Sequence, residues 1–165
     1  MKPEALVEDL NEYLSLINRI VFKHEGMVDK FIGDTAIAIW GAPFTRNDKE
    51  IAAVRAALEI QNAVEELNAN RAKKGLVSFS LGIGIHTGSV VSGNLGSDQH
   101  YDYSVIGEAL QTVNKLCVIA APNQILASEE TYQKIKKFVQ ASSADPIVTP
   151  EDLKPLKTYE IDKLL

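Results

Sequence analysis

The hydrophobic pattern of this chain predicts an α+β sandwich, with helices packed on a mainly antiparallel sheet. Three observations carry that expectation. Two long stretches repeat apolar residues at helical spacing, a strictly alternating run extends from Val77 to Ile85, and a Gly-Asp pair separates two short runs of strand character. With 165 residues, 45% of them hydrophobic and 24% charged, the chain is expected to form one domain over residues 1–165 with its own core.

From Pro3 to His24, Leu6, Leu10, Leu14, Ile17, Ile20 and Val21 recur at helical spacing, and Pro3 suits a first turn, so an amphipathic helix is expected. Met27 to Ile32 and Thr35 to Trp40 then read as strands joined by the two-residue turn Gly33-Asp34. In that hairpin Ile32 pairs with Thr35, Lys30 with Ile37 and Val28 with Ile39, which puts Asp34 at the exposed tip. Simple alternation places Asp29 on the opposite face from Lys30. Lys30 is then the one charge in a mostly apolar row. After the break at Gly41-Ala42-Pro43, Asn47 and Glu50 resemble a capping box that opens a second helix running to about Arg71. Its expected apolar face is Ile51, Val54, Ala57, Leu58, Val64 and Leu67.

From Val77, residues Phe79, Leu81, Ile83 and Ile85 share one face, while Ser78, Ser80, Gly82, Gly84 and His86 share the other. A face nearly free of side chains implies close approach by another backbone, a partner chain or a ligand. Thr87-Gly88-Ser89 turns the chain into an arm from Val90 to Leu95, and Gly96-Ser97-Asp98 leads into a strand from about Tyr101 to Ile106. A third helix from Glu108 to Ala120, a short strand at Ile125-Leu126-Ala127, a fourth helix opened by Ser128-Glu129-Glu130 and a last strand near Leu156 to Ile161 complete the order. That order narrows the sandwich to the ferredoxin-like type.

A net charge of −5 excludes a general nucleic-acid or anionic-membrane surface. No apolar run reaches the length of a membrane span, and the first residues lack a secretory pattern, so a soluble, cytoplasmic chain is expected, with the soluble part of a larger protein as the variant of that reading. Cys117 is the only cysteine, which excludes a disulfide framework and predicts a buried, inert thiol. His24, His86 and His100 share no metal-ligand spacing, and no Walker-type phosphate loop occurs.

Five segments, in order, carry a family resemblance: Val28-Asp29-Lys30-Phe31-Ile32-Gly33-Asp34, Trp40-Gly41-Ala42-Pro43, Ile83-Gly84-Ile85-His86-Thr87-Gly88, Gly93-Asn94-Leu95-Gly96-Ser97 and Asp102-Tyr103-Ser104-Val105-Ile106-Gly107. Together they resemble the catalytic domain of class III adenylate and guanylate cyclases. The resemblance implies that fold and a reaction in which the 3′-hydroxyl of a nucleoside triphosphate attacks its own α-phosphorus and expels pyrophosphate. It also implies two Mg²⁺ or Mn²⁺ ions, a role in signal transduction, and a homodimer or heterodimer with sites built from both chains.

Residue by residue, Asp34 is similar to the family's second metal aspartate and Lys30 to its base-recognition lysine. Ser104 stands where the family has Asp or Thr, which leaves ATP slightly preferred over GTP. Gln111 and Lys115 stand where an Asn and an Arg, four residues apart, orient the ribose and stabilise the transition state. His100 lies where an arginine often contacts the triphosphate, and Lys154 lies near a basic position before the last strand. Each has a structural alternative: a plain turn for Asp34, a snorkelling stem for Lys30, an ordinary strand serine for Ser104, and solvated surface for Gln111, Lys115, His100 and Lys154. The family's first strand, with its first metal aspartate, has no counterpart before the first helix. The chain alone is therefore expected to have little activity. The alternative function is a catalytically inactive cyclase-like dimerisation or regulatory module.

Overall fold

Helix α1 (Pro3–Lys23) and helix α2 (Lys49–Lys73) flank a hairpin of β1 (Met27–Ile32) and β2 (Thr35–Ile39). The computed structural model describes residues 3–97, 100–148 and 154–165. They fall into two compact units, Met1–Phe79 with Ser92–Val105, and Ser80–Val91 with Ile106–Leu165.

In the first unit α1 packs on α2, and the pair buries Tyr13, Ile17, Ile20 and Val21 from one helix and Val54, Ala57, Ile60 and Val64 from the other. Leu6, expected on the apolar face of α1, is exposed. The capping box expected at Asn47 does not form: Asp48 is the N-cap and makes no side-chain cap bond. Its carboxylate is held instead by Arg46, whose Nε and second guanidinium nitrogen donate at 2.7 and 2.8 Å. Arg71, 3% exposed in its side chain, donates to the Val77 carbonyl at 2.8 Å, contacts Asp9 and Glu12, and lies 4.5 Å over the Phe79 ring. Asn68 exchanges two hydrogen bonds with the Phe79 backbone, at 2.9 and 2.7 Å. These side chains occupy backbone groups that a ladder would need. The alternating run from Val77 is accordingly strand only at β3 (Ile83–Ile85).

The second unit contains a four-stranded sheet in the order β3, β6 (Ile125–Ser128), β8 (Leu156–Leu164), β7 (Val139–Ile147). The β3–β6 pair is parallel, while β6–β8 and β7–β8 are antiparallel. Helix α3 (Glu108–Ile119) lies on β3. A Cβ at Gly84 would come within 2.7 Å of the Cys117 nitrogen, and one at Gly82 within 2.5 Å of the Ala120 carbonyl oxygen. The small-residue face is thus covered by a helix of the same chain, so it gives no support for a partner there. Cys117 is partly buried, with Sγ 3.9 Å from the Gly82 carbonyl oxygen. Helix α4 (Glu129–Ile135) is capped by Ser128, whose side chain accepts from the Thr131 amide. The remaining strands, β4 (Val91–Ser97) and β5 (His100–Ile106), form a two-stranded sheet. Among the described residues no helix is long and apolar enough to cross a membrane.

Candidate functional site

Gly33, with φ +61°, and Asp34 form the two-residue turn between β1 and β2, and Asp34 is exposed there. Ile32 faces Thr35 and Lys30 faces Ile37, as the sequence predicts, but Val28 faces Ala38 rather than Ile39. The slip is a β-bulge at Asp29, which has no partner on β2. The bulge re-aims the Asp29 side chain. Its Oδ2 lies 3.1 Å from the Lys30 Nζ, so the opposite-face placement expected from alternation is wrong.

Lys30 Nζ also donates to the Ser104 Oγ at 3.0 Å, across 74 residues of sequence. Ser104 is buried on β5, whereas the Lys30 side chain is 40% exposed. The structure therefore joins the two residues that resemblance links to base recognition. Sequence reasoning set Asp29 on the opposite face and gave it no role; its place beside Lys30 was the available signal, but the bulge was not visible.

The other candidates lie on α3, at the start of β5 and before β8. Gln111 is exposed and Lys115 half-buried on α3, in the second unit. Four-residue spacing puts them on one helical face. His100 opens β5, and its side chain lies outside the described residues. Lys154 is exposed shortly before β8. Among the described residues no group of three or more His, Cys, Asp or Glu is placed to hold a metal. Asp34 offers one hard carboxylate, and these residues do not by themselves fit a two-metal site.

A groove of about 370 Å³ in the second unit is lined by His86, Thr87, Ser89, Glu108, Thr112 and Glu130 among others, and not by Gln111 or Lys115. His86 Nδ1 is 2.8 Å from the Ser128 Oγ and 3.8 Å from Glu130. Burial pushes the His86 pKa down, and the Glu130 charge opposes that shift.

Residues 1–162 match the family described as the adenylate and guanylate cyclase catalytic domain. An uncharacterised protein of Mycobacterium tuberculosis is 34% identical over 128 residues, covering 76% of this chain and 22% of that protein. Adenylate cyclase 1 of Rhizobium meliloti is 32% identical over 114 residues, 69% of this chain and 17% of the relative. The chain thus spans about a fifth of the curated relatives it matches. In structure it is similar to the adenylyl cyclase CyaB from P. aeruginosa, with a TM-score of 0.94, 28% identity, and coverage of 99% of this chain and 85% of that one. The guanylyl cyclase Cya2 gives a TM-score of 0.91 at the same 28% identity, with coverage of 99% and 83%. Overall likeness therefore supports the α+β cyclase fold and does not choose the base.

Proposed function

The chain belongs to the adenylate and guanylate cyclase catalytic-domain family, and from that premise we propose a nucleotidyl cyclase domain that reads a purine nucleoside triphosphate with Lys30 and Ser104. It forms a 3′,5′-cyclic nucleotide and pyrophosphate in cytoplasmic signal transduction, as a dimer with a second cyclase domain. The supporting observation is the 3.0 Å bond from Lys30 Nζ to Ser104 Oγ. An ammonium has three donors, and a hydroxyl that accepts one of them keeps its own O–H and a second lone pair. Such a pair can donate to a purine ring nitrogen and accept from an exocyclic amine, which suits adenine, so ATP is preferred. The spare O–H can also donate to a carbonyl, so GTP is not rejected strongly.

Asp34 is the residue for Mg²⁺ or Mn²⁺, whose bound ions would supply charge neutralisation at the phosphates. Because the described carboxylates do not complete that site, no step is routed through it. Gln111 orients the ribose, Lys115 faces the developing phosphate charge, and His100 and Lys154 meet the triphosphate. Lysine is a point charge without arginine's fork of donors, so turnover by this chain alone is low. A second reading, an inactive cyclase-like dimerisation or regulatory module, is favoured by the same incomplete carboxylate set and by Gln111 and Lys115.

Cyclic AMP and cyclic GMP formation from ATP and GTP, with Mn²⁺ or Mg²⁺, tests both readings on the unaltered chain and on Lys30→Met and Asp34→Ala. Low turnover that both substitutions abolish supports the first. Nucleotide binding without turnover, weakened by Lys30→Met, supports the second. Turnover that survives both substitutions removes the site assignment.

A further inference from the structure

Neighbouring residues on a regular strand point to opposite faces, so Asp29 should be unable to touch Lys30. The bulge at Asp29 overrides this and sets its carboxylate 3.1 Å from the Lys30 ammonium. The Asp29 side chain is 0% exposed, and among the described residues neither of its oxygens has a directed hydrogen bond. A carboxylate so deeply buried requires a counter-charge, and the Lys30 ammonium is the cation placed against it. Lys30 for its part has a long stem, 40% exposed, which one bond to a serine would hold poorly.

We propose that Asp29 is a positioning residue for purine recognition: from the bulge it holds the Lys30 ammonium beside Ser104, so that the remaining N–H faces the base. This rests on the reading of Lys30 and Ser104 as the base-recognition pair. Asp29 acts through Lys30 and touches no ligand itself. Its loss therefore weakens recognition of the base and leaves recognition of the triphosphate intact. A carboxylate that served only the fold would affect both alike.

The test uses the full chain with ¹⁵N-labelled lysine, following the Lys30 ammonium resonance by NMR, together with binding of ATP and of inorganic tripolyphosphate by calorimetry. In Asp29→Asn the ammonium resonance broadens or shifts, ATP binding weakens about tenfold, and tripolyphosphate binding stays within about twofold. In Ser104→Ala, where Asp29 is untouched, the resonance persists, which decides the question even where Asp29→Asn fails to fold. An unchanged resonance in Asp29→Asn, its loss in Ser104→Ala, or equal weakening of both ligands overturns the proposal. Failure of the unaltered chain to bind ATP removes the base-site reading and the role in recognition with it, while the resonance still reports separately whether Asp29 holds Lys30.

Discussion

The two compact units are fastened in different ways. In Met1–Phe79 with Ser92–Val105, the apolar contact of α1 and α2 is bordered by ion pairs, Arg71 with Asp9 and Glu12 and Glu59 with Lys23 and His24, while Lys30 and Asp29 pair within β1. In Ser80–Val91 with Ile106–Leu165, α3 lies directly on β3, because Gly82 and Gly84 let two backbones approach to within a methyl group's width. The first arrangement keeps charges close to apolar surface and partly available to a ligand. The second gives α3 a fixed seat and leaves Gln111 and Lys115 on it as solvent-facing or half-buried groups. Ion pairing and close backbone packing thus characterise separate parts of the chain.

The strongest way to break this contrast is Gly84→Leu. The new side chain would press on the Cys117 nitrogen and the Leu116 Cβ, neither of which can withdraw without moving α3. A loss of about 3 kcal/mol is expected, read by thermal or urea unfolding, and nearly independent of salt. Arg71→Met comes next, with an expected loss of about 2 kcal/mol from the hydrogen bonds to charged groups. In the unaltered chain this contribution shrinks as NaCl is raised, since Asp9 and Glu12 are partly exposed. Equal salt sensitivity of the two substitutions would erase the distinction.

The smallest effect is one of pH, and it separates the units by titration range. His86 has its folded pKa pushed below the ordinary 6.5 by burial, so its contribution to stability is complete above about 6.5 and is lost as pH falls toward the folded value. The Asp9 carboxyl is held below its ordinary 3.8 by the Arg71 hydrogen bond, so its contribution is present above that value and lost as pH falls through the folded pKa. On acidification the glycine-packed unit therefore loosens first. Melting curves between pH 7 and pH 5 should show a decline that His86→Gln flattens. A decline unchanged by that substitution assigns the pH response elsewhere.

The local elements were readable because their causes are local. Apolar residues spaced for one face mark α1 and α2, and the Gly33-Asp34 turn needs only its own two residues. Strand β7 was not anticipated, since Ser142, Ser143, Ala144, Asp145 and Pro146 lack strand-forming character. Its pairing with β8 supplies what its composition does not. The run from Val77 to Leu81 failed in the opposite sense. It has the alternation of a strand, but Arg71 and Asn68 take its backbone groups.

The candidate site divides along the same line. The motif around Lys30 and Asp34, the spacing of Gln111 and Lys115, and the demand for close approach at Gly82 and Gly84 were written in the sequence, because residue type and period specify them. Which backbone meets those glycines, that Ser104 receives the Lys30 ammonium, and that Asp29 turns to join them were decided only by tertiary structure. The physical reason is that a ladder register and a contact across 74 residues depend on which partners are at hand. A bulged residue changes face without any change in its own chemistry.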